Sequence, residues 1–211
     1  MNYLGHAAVA SWRSPDAAFV LGAMLPDFAT MLGARPPTTR HPGIGTGMRF
    51  HYRTDEVFHR SAGFVELTRT AFAWLLSRGL ERGRARAVAH VGVELLLDVE
   101  LARDEPVRRA YLAAVEGAAP RGLGGHLRWT SPGDSGGFDT LRERLLARGL
   151  TADDANAGLV ARRLRRALGA RPRLALDDAA ELVARDWVVA ARPAVAERSA
   201  ALARDLAERL L

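Results

Sequence analysis

The chain has 211 residues, no cysteine and a net charge of +6, and all 30 of its Lys and Arg positions are arginine. A hydrophobic fraction of 48% and a charged fraction of 26% exclude a disordered chain and indicate a globular protein with a core. The lack of cysteine excludes disulfides, thiolate catalysis and cysteine-ligated zinc. The apolar runs are too short to span a bilayer, and no positive charge precedes the first one, so we expect no membrane span and a cytoplasmic location.

Apolar residues recur at helical spacing along most of the chain, and no run alternates apolar and polar residues as a half-buried strand does. We therefore predict an all-α fold, a helical bundle that forms a single domain over residues 1–211. The predicted helices cover residues 15–25, 46–60, 62–78, 84–102, 105–116, 138–148, 152–168, 177–190 and 193–210.

Local signals mark where several helices begin and where the chain leaves them. Ser14, which a proline follows, is typical of an N-cap, and residues 151–154 resemble a capping box with Asp in place of Glu. Pro193 is predicted to open the last helix. Residues 33–47 and 117–137 are rich in glycine and proline and are predicted to be loops, the second one long enough to form a lid.

The segment RARAVAHVGVELLLDVELA (84–102) carries the first group of candidate metal ligands. Its central part is apolar on every side except at His90, Glu94 and Asp98, and a helix that is apolar all round is expected to be buried. The three polar residues follow one another at intervals of about one helical turn, so they share a face. Two carboxylates one turn apart repel each other, and their burial requires a positive partner, either an arginine or a divalent cation.

A second group with the same spacing lies in FHYRTDEVFH, where His51, Asp55 and His59 share a helix face. Such neighbours suit a metal ion bound in the core of a helical bundle. With 6 His and 24 Asp plus Glu in the chain, one triple of this kind can arise by chance. Two triples, together with Asp27 after an apolar run and His6 in an uncharged segment, favour a metal site.

The alternative is that these carboxylates form buried ion pairs with Arg49, Arg53 or Arg86. Histidine and carboxylate ligands without thiolates suit Mn or Mg, and also Fe or Zn. Bound cations of this kind activate water and stabilise the oxygens of an in-line phosphoryl displacement. The ligand types therefore predict the hydrolysis of a phosphoester.

Several motifs resemble those of the acyl carrier protein phosphodiesterases, a divergent branch of the HD-domain phosphohydrolases. MNYLGHAAVA is similar to that family's Met-Asn-Phe-Leu-Ala-His opening, and LGAMLPDF resembles its Gly-Asn-Leu-Leu-Ala-Asp-Phe segment, which places Asp27 on the family's aspartate. HYRTD matches its His-Arg-x-Ile-Asp motif at His51 and Asp55. RRALGARPRL (165–174) resembles its Arg-Arg-Pro-x-Leu tail.

The chain departs from the family pattern at two places. Where the family reads Thr-Asp after its first motif, this chain has Phe58 and His59; where the family has Asp-x-x-x-Asp-His, it has His90, Glu94 and Leu95. His59, His90 and Glu94 are still residue types that bind metals, whereas Leu95 replaces a histidine and so removes one imidazole.

The resemblance implies an HD-domain-like helical hydrolase that uses Mn or Mg to release 4′-phosphopantetheine from a carrier-protein serine. Acyl carrier proteins are acidic, and the arginine-rich surface would attract such a partner. A small phosphodiester is the other candidate substrate, while nucleic acid is less favoured. The densest basic stretch, for which a solvated helix face is the alternative interpretation, consists of Arg162, Arg163, Arg165, Arg166, Arg171 and Arg173.

Our leading hypothesis is therefore a metal-dependent phosphodiesterase. Asp55 and Arg53 are assigned catalytic roles, with the guanidinium of Arg53 binding the phosphate. His6 and Asp98 are expected to bind the metal or to hold its ligands. The predicted ligands are Asp27, His51, Asp55, His59, His90 and Glu94.

Two other hypotheses remain open at the level of sequence. His-plus-carboxylate helical bundles also suit a diiron oxidative enzyme. A non-enzymatic, arginine-rich helical module that binds an acidic protein or nucleic acid would use the same polar residues only for internal pairing.

Overall fold

The computed structural model describes residues 1–150 and 156–211, and almost all of their regular structure is helical, which confirms the predicted all-α fold. The helices are α1 (Tyr3–Arg13), α2 (Ala17–Leu32), α3 (Pro42–His59), α4 (Ala62–Ser77), α5 (Arg82–Leu101), α6 (Glu105–Gly117), α7 (Pro132–Arg148), α8 (Ala157–Gly169) and α9 (Asp178–Leu210), with a 3-10 turn at Leu123–His126. Among the described residues, no helix is long and apolar enough to cross a membrane.

Contacts within the chain divide it into two compact units. Unit 1 comprises residues 1–58, 101–150 and 206–211, and unit 2 comprises residues 59–100 and 156–205. The prediction of a single domain stays a prediction.

In unit 1, α1, α2 and α6 pack on one another, and α7 packs on α2 and α6. Helix α2 is apolar on nearly all sides and forms the centre of this core, because only a helix surrounded by other elements can bury such a surface. Gly22 of α2 and Gly47 of α3 let these two helices approach closely: a Cβ on Gly47 would lie 2.1 Å from the carbonyl oxygen of Phe19. This contact sets the position of α3, on which His51 follows one turn later.

The core of unit 2 is formed by α4, α5, α8 and most of α9. Trp187 of α9 is 2% exposed, and its ring lies against Gly92 of α5, where an added Cβ would stand 2.3 Å from the ring. Other buried apolar residues of this unit include Leu67, Leu75, Val88, Val93, Leu96, Val160, Leu164 and Val188.

The N-terminal region differs from the prediction. Residues 3–13 form helix α1, which was not predicted, and Asn2 caps it by accepting a hydrogen bond from the amide of Tyr3. Ser14 ends this helix as its C-cap. The N-cap of α2 is instead Asp16, which accepts from Phe19 N. The predicted start at residue 15 was therefore wrong, because Asp16 supplies a better placed acceptor.

Both predicted loops contain regular structure. Residues 33–47 include a strand, β1 (Thr38–Thr39), and the first turns of α3, which begins at Pro42 because proline suits the first helical position. Residues 117–137 include the 3-10 turn, a strand β2 (Leu127–Arg128) and the start of α7. The two strands pair antiparallel, with Thr38 opposite Arg128, so the expectation of no strand was also wrong.

Two further predictions concern the C-terminal half. Pro193 does not open a helix; it lies inside the continuous helix α9. The capping box proposed for residues 151–154 and the start of the helix predicted at 152 lie outside the described residues. A capping box does occur at the start of α7, where Ser131 and Asp134 bond each other's backbone amides.

Candidate metal centre

The structure brings most of the predicted ligands into two groups, one in each unit, and places Asp55 and Asp98 in neither. In unit 1 the potential ligand atoms of His6, Asp27 and His51 all lie within 4.8 Å of one another. In unit 2 the same holds for His59, His90 and Glu94. We call these the His6 cluster and the His90 cluster.

His6 lies in the middle of α1 and is 1% exposed. Its Nε2 lies 3.6 Å from Asp55 Oδ1 and 3.9 Å from Asp27 Oδ2, both longer than a hydrogen bond. Within the described part of the chain, neither ring nitrogen of His6 has a hydrogen-bond partner. Burial lowers the pKa of His6 to about 3, so the imidazole is neutral at pH 7 and has a lone pair available for a cation.

His51 is held by α3 against α1 and α2. Its Nδ1 donates a hydrogen bond to the carbonyl oxygen of Ala23 over 2.8 Å, and its ring stacks on His6 with centroids 3.8 Å apart. Burial lowers the pKa of His51 as well, against the opposing effect of the Ala23 hydrogen bond. The close stacking of two imidazoles therefore does not bring two positive charges together at neutral pH.

The carboxylate of the His6 cluster is Asp27 of α2, and Asp55 of α3 lies beside the cluster. Helix α2 continues through Pro26, so Asp27 lies inside the helix, and the predicted helix end at residue 25 was wrong. Asp55 follows His51 by one turn, and its Oδ1 accepts from the N-terminal ammonium of Met1 over 2.6 Å. A positive group thus lies on the carboxylate next to the His6 cluster.

The donor atoms of the His6 cluster fit a divalent cation. Two neutral imidazoles and nearby carboxylates are the ligands that Mn, Fe and Zn accept in catalytic sites. The hydrogen bond from His51 Nδ1 to Ala23 is the kind of contact that orients a metal-binding histidine. The ring nitrogens of His6, which have no partner among the described residues, fit a bound cation, since buried polar atoms rarely lack a partner.

In the His90 cluster, one carboxylate oxygen faces two imidazoles. Glu94 Oε1 lies 3.1 Å from His59 Nε2 and 3.3 Å from His90 Nε2. The two imidazole rings stack with centroids 4.9 Å apart and an angle of 11°. Burial alone would raise the pKa of Glu94, but the hydrogen bonds from His59 and His90 outweigh it and hold the pKa of this carboxyl below its usual range.

The expected burial of the 84–102 segment holds for Asp98 but not for His90. The His90 side chain is 47% exposed, because α5 turns this position toward the solvent one turn before its fully buried stretch. Asp98 is buried but belongs to neither cluster. Arg53, the predicted phosphate ligand, is exposed on α3.

The arginines proposed as ion-pair partners have other neighbours. Arg49 donates to the hydroxyl of Thr46, and the guanidinium of Arg86 lies 5.8 Å from the ring centroid of Phe72. These contacts occupy the side chains of Arg49 and Arg86 at the surface of their helices.

Sequence reasoning missed two groups that hold the clusters in place. The carbonyl of Ala23 has no signal in the sequence, because any residue offers a carbonyl. Phe64 of α4 sets its ring nearly perpendicular to those of His59 and His90, at centroid distances of 5.2 and 5.3 Å. Because Phe64 lies in the first turn of α4, where the N-cap Ser61 binds its amide, the sequence could have suggested that the orientation of its ring is fixed.

Unit 1 also has a cationic surface groove of about 670 Å³. It is lined by hydroxyl, guanidinium and imidazole groups, with no carboxylate among them. The lining residues are Thr38, Thr39, Arg40, His126 and Arg128.

No protein-family model, curated protein or solved structure matches the chain.

Proposed function

We propose that this chain is a metal-dependent phosphodiester hydrolase whose cation is held by His6, Asp27 and His51. The observation that carries the proposal is the buried imidazole of His6, whose ring nitrogens have no hydrogen-bond partner among the described residues and which lies in one cluster with His51 and Asp27. A purely structural histidine at 1% exposure would have its nitrogens satisfied. The motif resemblance to the HD-domain-like acyl carrier protein phosphodiesterases supports the same chemistry.

Each residue of the site has a distinct task. His6 and His51 supply neutral imidazole nitrogens, and Asp27 supplies the negative charge that a divalent cation requires. When bound, Mn, Fe or Zn would supply a Lewis acid for water and for the phosphoryl oxygens, whereas Mg, the other cation expected from the sequence, prefers oxygen ligands and suits two imidazoles less well. Asp55 lies 3.6 Å from His6 Nε2 and can accept a proton from water at the edge of the cluster. The exposed guanidinium of Arg53 is available to pair with a substrate phosphate.

The charge distribution supports an acidic partner such as a carrier protein. Opposite charges raise the rate at which such a partner finds the enzyme. In unit 1 the cationic groove offers Arg40 and Arg128. In unit 2, Arg162 and Arg166 of α8 are exposed, while Arg165 pairs with Asp178 and Glu181. Arg165 is thus partly neutralised within the protein.

The test uses a carrier protein bearing 4′-phosphopantetheine and, separately, a small chromogenic phosphodiester, both with Mn. We expect release of phosphopantetheine and a loss of at least about 100-fold for Asp27→Asn, because that change removes a charged ligand. Hydrolysis of the small diester but not of the carrier protein would support phosphodiester hydrolysis and reject the carrier protein as the substrate. No hydrolysis of either substrate, with any of the four cations, would reject the proposal.

The groove gives a matched test of the partner. Arg40→Glu should raise KM for the acidic carrier protein and leave hydrolysis of the small diester unchanged, because the reversed charge repels only the macromolecule. Arg86→Glu in unit 2 is the control for the change in net charge. An equal effect of both substitutions would mean that overall charge, and not the groove, attracts the partner.

A further inference from the structure

The His90 cluster has the features of a metal site in its own right. Its three residues come from the last position of α3 and from α5, and it shares no residue with the His6 cluster. Its donor set is two imidazoles and one carboxylate, of which His59 is 29% exposed and Glu94 11%.

The distances within the cluster match those between ligands of one cation. Two ligands that bind a metal at about 2.1 Å lie about 3.0 to 3.4 Å apart when the angle at the metal is between 90° and 109°. The Glu94 Oε1 to Nε2 distances, 3.1 Å to His59 and 3.3 Å to His90, fall in this range. In the metal-free protein Glu94 Oε1 bonds His59 Nε2 and lies 3.3 Å from His90 Nε2, so a cation can take the place between these atoms with little movement of the side chains.

The ring orientations are fixed before any cation binds. Phe64 is 3% exposed and packs edge-to-face against both imidazoles. Ser61 caps α4 by accepting from the Phe64 amide over 3.4 Å, which places that ring at the start of the helix. His90 and Glu94 are one turn apart on α5, a spacing that directs both side chains to the same side. A preorganised site of this kind loses less entropy on binding.

We propose that His59, His90 and Glu94 bind one divalent transition-metal ion with an affinity for imidazole, Zn²⁺ foremost. Two nitrogen donors out of three favour Zn²⁺, Co²⁺ or Fe²⁺ over Mg²⁺, which prefers oxygen ligands. Three protein ligands leave at least one coordination position for water, and the 47% exposure of His90 gives the solvent access to it.

The experiment titrates the chelator-treated, full-length protein with Co²⁺, followed by visible absorption, and then displaces Co²⁺ with Zn²⁺. It is done in wild type, in His90→Ala and in His126→Ala, the last being the same substitution at an exposed histidine of unit 1. We expect two bound ions in wild type and in His126→Ala, and one in His90→Ala. In a His51→Asn background, His90→Ala should weaken the remaining Kd at least about 100-fold.

His90 is exposed, so its loss should leave the fold intact, which circular dichroism checks. Unchanged stoichiometry and Kd in His90→Ala would overturn the proposal, as would a His51→Asn protein that is folded and binds no Co²⁺. Should His51→Asn fail to fold, the number of ions bound by wild type and by His90→Ala still shows whether the His90 cluster binds a cation. Phosphodiester hydrolysis is measured separately, and its absence would not alter the metal count of the His90 cluster.

Discussion

His51 donates a hydrogen bond from Nδ1 to the carbonyl oxygen of Ala23 over 2.8 Å, from one helix of unit 1 to another. Because a carbonyl can only accept, this bond fixes the tautomer: the proton is on Nδ1 and the lone pair is on Nε2. The ring is thereby oriented for the cluster with His6 and Asp27 before any cation arrives.

The first prediction separates the two nitrogens of His51. The amide nitrogen of Asn can take the place of Nδ1, so His51→Asn should keep the bond to Ala23 and lose the metal ligand. We expect the free energy of unfolding to fall by about 1 kcal/mol and the Kd for Mn to rise by at least about 100-fold. Urea unfolding and calorimetric titration measure the two quantities. The amide nitrogen of Gln takes the place of Nε2 instead, so His51→Gln should lose the bond to Ala23 and be less stable than His51→Asn. A His51→Gln protein more stable than His51→Asn would contradict the roles assigned to the two nitrogens.

The second prediction concerns the crossing of α2 and α3. Gly47→Ala would place a Cβ 2.1 Å from the carbonyl oxygen of Phe19, an overlap that only a backbone shift can relieve. We expect a loss of about 1 to 3 kcal/mol in urea unfolding and weaker metal binding, since His51 moves with the helix. The control is Gly136→Ala in α7, where a Cβ meets nothing within 4 Å. That change should stabilise by about 0.5 to 1 kcal/mol, and equal effects at both glycines would contradict the close approach.

The third prediction is a loss of stability in acid for the metal-free protein. Burial lowers the pKa of His6 to about 3, against about 6.5 in an unfolded chain. Between these pH values the unfolded state binds a proton that the folded state does not, so the free energy of unfolding falls as the pH falls. The slope from His6 is about 1.4 kcal/mol per pH unit at most. His51, whose pKa is also lowered, acts in the same direction.

Urea unfolding between pH 7 and pH 4 in the presence of a chelator measures this slope. The His6→Gln variant lacks the titrating group, so its stability should vary less over the same interval. Equal slopes in wild type and variant would show that His6 is protonated in the folded protein.

The fourth prediction tests Phe64 as the residue that orients His59 and His90. Phe64→Leu keeps most of the buried volume but removes the edge-to-face contacts with both imidazoles. We expect a Kd for Zn²⁺ about 10-fold weaker, because neighbours of ligands commonly have effects of this size, and a stability cost below about 1.5 kcal/mol. An unchanged Kd together with the expected loss of stability would mean that Phe64 contributes to packing but does not orient His59 and His90.

The helices could largely be predicted from the sequence, because apolar spacing reports burial on one face. Helix α1 was missed because it has neither a charged face nor an apolar stripe: its residues from Leu4 to Ala10 are buried on all sides. The split at Pro193 was wrong because a proline inside a helix removes one hydrogen bond but need not end the helix when the surrounding core holds it.

For the site, spacing along one helix predicted which residues share a face but not which residues of different helices meet. His51, Asp55 and His59 were predicted to share one helix face at a metal site, yet His51 lies in the cluster with His6 and Asp27, and His59 in the cluster with His90 and Glu94. That division depends on the crossing of α2 and α3 and on the packing of α4 and α5, which spacing alone does not contain.

The most direct test of the central claim is the metal content of the His90→Ala protein, which retains only the His6 cluster. It is purified without added metal, equilibrated with Mn, freed of unbound ions and analysed for its elements. The account predicts one cation per chain, and none after the further change His51→Asn. A His90→Ala protein that is folded and holds no cation under these conditions would contradict the account.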